Sequence, residues 1–400
     1  MTGAARLQAL LDEGVATGVF PCAAAVALHE GRRVLAIVAG EATLDTVFDL
    51  ASLTKPVATA AVFLTLWRDG ILAPETPAGQ LAPAAAVGRA GATLGDLLTH
   101  RAGLPGFAPL FVPVLRGMPA LLEPGCPPGV RAQARAEAVA RALAVAPEAQ
   151  PGARALYSDV GFVVLGELLA AAAGAPLDAL FVERVARPLG LSVRFHRLSD
   201  RQTWTSGVGA LADPSRGPVV APTGRTRPRE PAPGQEGLWE PFAPHPSPAG
   251  EVDDDNAWVM DGVAGHAGLF GTAPDLADLG QAILDDWGGR GRLAPPSCWT
   301  RALSRDAETP RSTRALGFDT RRPGDSRPAG SAGHRLGDRP PGAVGHTGYT
   351  GTSLWVDLGR RLVVALCTNR TAGPRGRADL RINDFRPRFH DALVEALDPT

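Results

Sequence analysis

The period of the apolar positions changes several times along this chain, and each change marks an element. Residues 4–17 carry apolar side chains at helical spacing, which predicts an opening helix. Residues 23–28 and 34–38 are short apolar stretches joined at Glu30-Gly31, the pattern of a β-hairpin. Residues 52–67 are almost wholly apolar beyond Lys55 and are closed by Asp69-Gly70, so a helix buried on most sides and capped by glycine is predicted. Pro56 is tolerated only near the first turn of such a helix, where backbone N–H groups lack intrahelical partners, and this fixes its start near Ser52. Helical segments follow near 93–99, 131–144, 159–173 and 176–187, separated by proline and glycine, so the middle third reads as all-helical. From 214 to 248 prolines recur too often for regular structure, and 321–342 is a second loop rich in arginine, glycine and proline. Strand-like stretches return at 352–356 and 362–368, before a C-terminal helix near 383–397.

Strands at both ends with helices between predict an α/β (α+β) fold: an antiparallel sheet flanked by helices, plus an inserted all-helical lobe. One domain is expected over residues 1–400, with the α/β lobe from about 1–70 and 265–400. The helical lobe takes about 71–264 and includes an irregular, proline-rich excursion over 214–256. Glycines at 262, 265, 268 and 271, with Thr272, Pro274 and Asp275 behind them, read as a close-packed loop running into an N-capped helix.

Composition narrows the function classes. With 45% hydrophobic residues, 47 glycines, 37 prolines and a net charge of −1, the chain is globular and rich in loops. Its 40 basic residues are scattered against 41 acidic ones without a basic stripe, which argues against a nucleic-acid partner. Residues 1–20 lack a basic start followed by an apolar core, and no run of about 18 apolar residues occurs. A cytoplasmic protein without a membrane partner is therefore expected. Cys22, Cys126, Cys298 and Cys367 are widely spaced, as reduced thiols would be. No Cys-x-x-Cys or His-Glu-x-x-His occurs, so no metal and no cofactor is expected, and Asp253-Asp254-Asp255 reads as a solvated acidic loop. Nothing in the composition sets an oligomeric state.

Lys55 is the only lysine among the 40 basic residues, and it stands three positions after Ser52 in Ser52-Leu53-Thr54-Lys55. A chain that uses arginine almost everywhere keeps a lysine where the group must lose a proton, which arginine cannot do. A spacing of three puts hydroxyl and amine on one face of the first helical turn. Burial and the positive end of the helix dipole both disfavour the ammonium form, so Lys55 is expected to be neutral enough to accept the serine proton. The chain has two tyrosines, and both adjoin short polar motifs: Tyr157-Ser158-Asp159, and His346-Thr347-Gly348 followed by Tyr349. Alone, a tyrosine at a helix start is a packing residue. His100 and His266 lie in glycine-rich turns and read as satisfied structural histidines.

Taken in order, these motifs resemble the serine β-lactamase-like family, in the branch that holds class C β-lactamases, D,D-peptidases and related esterases. Its pattern of Ser-x-x-Lys, Tyr-x-Asn and Lys- or His-Thr-Gly matches Ser52/Lys55, Tyr157-Ser158-Asp159 and His346-Thr347-Gly348. Leu97-Leu98-Thr99-His100, Gly103-Leu104-Pro105 and Gly265-His266-Ala267-Gly268-Leu269-Phe270 are also similar to that family, and the resemblance spans about residues 10–375. It implies a β-lactamase/transpeptidase-like fold with Ser52 as an acylated nucleophile. It implies that Lys55 and Tyr157 share the proton transfers, the formal base being left open between them. It implies an oxyanion hole from the N–H groups of Ser52 and Tyr349, with Asp159, His346, Thr347 and Gly348 on the substrate.

Two positions depart from the pattern. Asp159 stands where an amide would donate to a substrate carbonyl, and a carboxylate beside Lys55 favours its protonated form. His346 replaces a permanent cation by a group largely neutral at pH 7, which weakens anchoring of a substrate carboxylate. An alternative register, Ser158-Asp159-Val160 as Ser-Asp-Asn, also lacks the asparagine and orphans Tyr157. No Gly-x-Ser-x-Gly elbow surrounds Ser52. The expected activity is hydrolysis of an ester or a small amide or peptide through an acyl-enzyme on Ser52. β-Lactamase or D,D-peptidase activity is the alternative, and a penicillin-binding sensor that acylates without turnover belongs to another class.

Overall fold

The computed structural model describes residues 3–200, 219–224, 226–231, 237–310, 312–321, 333–374, 376 and 379–398. Its strands in chain order are β1 (Ala23–His29), β2 (Arg32–Ala39), β3 (Phe48–Asp49), β4 (Arg194–Phe195), β5 (Thr226–Arg227), β6 (His245–Pro246), β7 (Leu269–Gly271), β8 (Asp319–Thr320), β9 (Ala343–Thr347), β10 (Ser353–Asp357) and β11 (Leu362–Thr368). The predicted hairpin is β1–β2. Its two turn residues, Glu30 and Gly31, have φ of 51° and 75°, the pair of positive values that matches a two-residue turn to the twist of its strands.

The main sheet has the order β2-β1-β11-β10-β9-β8, and every pairing is antiparallel. The first strands of the chain thus pair with the last, Ala23 opposite Thr368. Side chains on β1 alternate between two cores: Ala24, Val26 and Leu28 face one, and Ala23, Ala25 and Ala27 the other. Helices Gly3–Ala16 and Ile382–Leu397 pack on each other over the second core. On the opposite face lies helix Ala273–Trp287, so close that a Cβ on Gly280 would stand 2.4 Å from Val363. Covered on both faces, β11 is buried at every position and reads as a continuous apolar run.

The helical part is built around Asp159–Ala173, which starts where the sequence predicts and ends on Gly174 in the left-handed conformation. The other predicted helices occur as Leu94–Leu98, Pro128–Ala144 and a segment from Leu177 to Leu189 whose centre, Val182–Ala186, is a π-turn. Two expectations are corrected. The segment after Ser52 is three pieces: a 3₁₀ turn Ala51–Leu53, a π-helix Lys55–Ala60 and an α-helix Ala61–Arg68. Pro56 has no N–H to give, and wide turns of this kind recur at functional sites. The middle third is also not all-helical, because β4 joins β3 and β7 in a three-stranded sheet and β5 pairs with β6. Those last two strands lie inside the excursion read as irregular; of that excursion 214–218, 225 and 232–236 lie outside the described residues, as do 322–332 of the second loop.

All four cysteines are free thiols. Among the described residues no single helix is long and apolar enough to cross a membrane. The pair Asp159–Ala173 and Leu177–Leu189 is long and apolar taken together but bends by 75° between its helices, and Asp159–Ala173 is a buried core helix.

Candidate active site

Ser52 is delivered by a strained backbone. Ala51 before it has a φ of 48°, a left-handed conformation that costs an L-residue about 1–2 kcal/mol. That conformation is held from both ends. The Ala51 N–H donates to Asp49 Oδ1 at 2.8 Å, and the Ala51 carbonyl accepts from Thr54 Oγ1 at 2.7 Å. Because a trans peptide sets its C=O and N–H on opposite sides, the Ser52 N–H points away from Thr54. Asp49 is itself buried, and its second oxygen accepts from the Asp253 N–H at 2.7 Å. Burial pushes its carboxyl up to about 7, against the pull of these two N–H donors.

Lys55 is fully buried, and its ammonium has three acceptors: Ser52 Oγ at 3.0 Å, Asp159 Oδ1 at 2.7 Å and the His266 carbonyl at 3.3 Å. Nζ also stands 4.8 Å from the centre of the Tyr157 ring. Here the expected neutral lysine is corrected. Burial does push the ammonium down, but Asp159 and then Tyr157 outweigh it and hold Lys55 above its ordinary value. The Tyr157 phenol, which meets both Lys55 and Ser52, is raised by burial despite the nearby cation. The resting site thus pairs Lys55 with Asp159 at 2.7 Å beside the Tyr157 phenol.

Tyr157 and Asp159 enter through the start of helix Asp159–Ala173. Ser158 caps that helix: its hydroxyl accepts from the Gly161 N–H at 3.0 Å and donates to the Pro105 carbonyl at 2.6 Å. Ser158 is therefore occupied away from Ser52, and the register that makes it the motif serine has no geometric support. His100 accepts from the Ser158 N–H through Nδ1 at 3.0 Å, packs against Tyr157 and Phe162, and is held well below its ordinary pKa by burial first and Arg314 next.

His346, Thr347, Gly348 and Tyr349 come from the end of β9 and the turn after it. A Cβ on Gly348 would stand 2.5 Å from the Leu50 carbonyl, so only glycine lets this turn approach the Ser52 segment. Thr350 and Thr352 hydroxyls tie it down, donating to the Asp49 and Leu50 carbonyls at 2.6 and 3.1 Å. Burial first, then Lys55 and Arg314, keeps the His346 ring well below its ordinary pKa. Its Nδ1 lies 2.7 Å from the Thr347 carbonyl, and its buried Nε2 finds no partner among the described residues.

Ser52, Tyr157, Asp159, His346, Thr347, Gly348 and Tyr349 line one cavity of 380 Å³, and Lys55 lies beneath Ser52 and Asp159. All eight residues singled out in the sequence are thus brought together. The same cavity is also lined by Arg229, Arg314, Asp319, Arg370 and Arg386, which sequence reasoning missed, and by Asp253, Asp254 and His266, which it read as structural. Arg314 lies 5.0 Å over the Tyr157 ring and pairs with Asp319. The expected solvated acidic loop is also corrected. Asp253 and Asp255 are buried, and Asp254 caps helix Asp255–Val259 while meeting His266 Nε2 at 2.9 Å. Burial works to raise the Asp254 carboxyl, but His266 and Arg229 hold it well below the usual range. His266 is likewise more than a satisfied structural histidine, since it lines the cavity and its Nδ1 finds no partner among the described residues. Among the described residues no group of three or more His, Cys, Asp or Glu could hold a metal ion.

Comparison with known proteins gives a consistent result. Residues 7–386 match the family model described as Beta-lactamase. A relative from Escherichia coli (strain K12), named "Putative D-alanyl-D-alanine carboxypeptidase", is 27% identical over 345 residues, 84% of this chain and 71% of its own length. Among solved structures, a novel penicillin-binding protein homolog from Caulobacter crescentus aligns with a TM-score of 0.66 at 20% identity, covering 98% of this chain and 97% of the other. EstCE1, a hydrolase with promiscuous acyltransferase activity, aligns with a TM-score of 0.65 at 20% identity over 98% of both chains. At such identities the two structures speak for the shared fold alone.

Proposed function

The chain belongs to the beta-lactamase family of serine hydrolases, and on that premise we propose that it hydrolyses esters or small amides through an acyl-enzyme on Ser52. The observation that carries this reading is the contact of Lys55 Nζ with Ser52 Oγ at 3.0 Å on the floor of the 380 Å³ cavity, with Tyr157 beside it. Ser52 Oγ attacks the acyl carbon. Once the Lys55/Tyr157 pair has given up one proton to solvent, it takes the Ser52 proton and returns it to the leaving alcohol or amine. The charge on the former carbonyl oxygen is met by the N–H groups of Ser52 and Tyr349. Water then adds to the acyl carbon, loses a proton to the same pair and releases the acid and Ser52.

Preference for an ester or small amide over a β-lactam rests on Asp159 and His346. A carboxylate in place of a donor leaves an amide carbonyl of the substrate facing negative charge, and the His346 ring carries no cation to hold a carboxylate. The test is turnover of short-chain p-nitrophenyl esters, nitrocefin and D-alanyl peptides, with intact-mass detection of the adduct. Multiple turnovers with the ester, poor turnover of nitrocefin and loss of both adduct and activity in Ser52→Ala are expected. A stoichiometric burst without turnover would make the protein an acylated sensor, and an adduct surviving in Ser52→Ala would remove the nucleophile assignment.

A further inference from the structure

Arg386 is a buried cation whose hydrogen bonds, among the described residues, go to main-chain carbonyls. It lies on helix Ile382–Leu397, is 3% exposed, and donates to the carbonyls of Gly348 at 2.7 Å, Thr352 at 3.0 Å and Gly351 at 3.3 Å. Among the described residues no carboxylate pairs with it. A buried charge without a counter-ion is expensive, and burial, with Arg370 nearby, pushes this guanidinium down to about 9. Simple bracing does not require that expense, because the neutral hydroxyls of Thr350 and Thr352 already tie the same turn to the Ser52 segment.

The Gly348 carbonyl is half of the peptide unit whose other half is the Tyr349 N–H. In a trans peptide the two point in opposite directions, so whatever holds the oxygen sets the aim of the hydrogen. We infer that Arg386 is a positioning residue of the oxyanion hole: by gripping the Gly348 oxygen it turns the Tyr349 N–H toward the reacting carbonyl and strengthens that N–H as a donor. The arrangement parallels the other donor, where Thr54 Oγ1 holds the Ala51 oxygen at 2.7 Å and the Ser52 N–H faces away from it. The two peptides differ in the charge of what holds them. A cation on the carbonyl polarises the whole peptide unit, and its missing counter-charge arrives only when the oxyanion forms. Its effect therefore falls on the transition state and spares the bound substrate.

This inference rests on the acyl-enzyme reading of Ser52, and its test separates the two. In wild type an alkylboronic acid should bind by addition of Ser52 Oγ to boron, giving a tetrahedral anion with one proton released to solvent. No adduct in wild type, or an adduct in Ser52→Ala, would overturn the acyl-enzyme reading itself. With that established, Arg386→Met is expected to lose about 10- to 100-fold in kcat for a p-nitrophenyl ester and about as much in boronate affinity, with KM within about twofold of wild type. Arg386→Lys, which keeps a cation with fewer donors, should recover part of both. Boronate affinity unchanged in a folded Lys or Met variant, or loss of activity through KM alone, would overturn the inference while leaving Ser52 as nucleophile. If the Met variant does not fold, the Lys variant decides: its boronate affinity should fall at least about threefold at unchanged KM.

Discussion

Three acceptors around one ammonium define how Lys55 differs from any arginine that could stand there. Lys55→Arg keeps the charge, cannot accept a proton, and forces a planar fork into a space shaped for Nζ between Ser52 Oγ and Asp159 Oδ1. Acylation, followed by the p-nitrophenol burst, should fall by roughly 10³-fold, about as far as in Ser52→Ala. Because Asp159 above all favours the protonated form of Lys55, the Lys55/Tyr157 pair must shed a proton before it can take one from Ser52. The ester rate should therefore climb on the alkaline side of neutral. Asp159→Asn removes the largest influence raising Lys55, so that limb should move to lower pH; a limb that stays in place would mean that another group titrates there. The same substitution restores a side-chain donor and should raise the ratio of nitrocefin acylation to ester cleavage about tenfold. Lys55 and Tyr157 were legible because each is rare in this composition and stands in a short motif. The charge state of Lys55 was not, since it depends on an aspartate 104 positions away whose distance no spacing rule supplies.

At the scale of elements, regular pieces were readable and their joints were not. Helix Asp159–Ala173 and strands β1, β2, β10 and β11 follow from apolar stretches and the turn signals between them, but the π-turn at Lys55–Ala60 leaves no such mark. Arg386 was partly readable. Ile382, Phe385, Arg386, Phe389, His390 and Leu393 form one buried face of the last helix, and a charge inside an apolar stripe is a signal that asks for a partner. Arg229 and Arg314 come from irregular chain and gave no such signal. Close approach of backbones is another joint. Gly265 faces helix Asp159–Ala173, where a Cβ would stand 2.0 Å from the Phe162 carbonyl, and the next residue supplies the His266 carbonyl to Lys55. Gly265→Ala should cost about 1–3 kcal/mol in urea unfolding and lower the ester rate more than a substitution of equal cost elsewhere. Unchanged stability would show that the loop and helix can separate without penalty.

The main sheet is closed by elements far apart in the chain. Strand β1 lies between β2 and β11, and helices Gly3–Ala16 and Ile382–Leu397 cover the same face of the sheet, with Phe20, Phe385 and Phe389 packed together there. A chain ended at Asp379 would lose Phe385, Phe389, Leu393 and Val394 from that core as well as Arg386 from the cavity. It should show no cooperative thermal transition by circular dichroism and no ester turnover; a single sharp transition would mean that the sheet stands without its last helix. The same closure governs how the protein comes off the ribosome. Ala23 pairs with Thr368, so about 345 residues must be added after Ala23 before its partner strand exists. At about 5–20 residues per second, the hairpin waits roughly 20 s or longer with the β1 edge unpaired. Throughout that interval β1 is an open edge of small apolar residues, able to accept a strand from another nascent chain. Yield from cells should therefore depend on the speed of synthesis and on chaperones that cover early strands, more than on the stability of the finished fold.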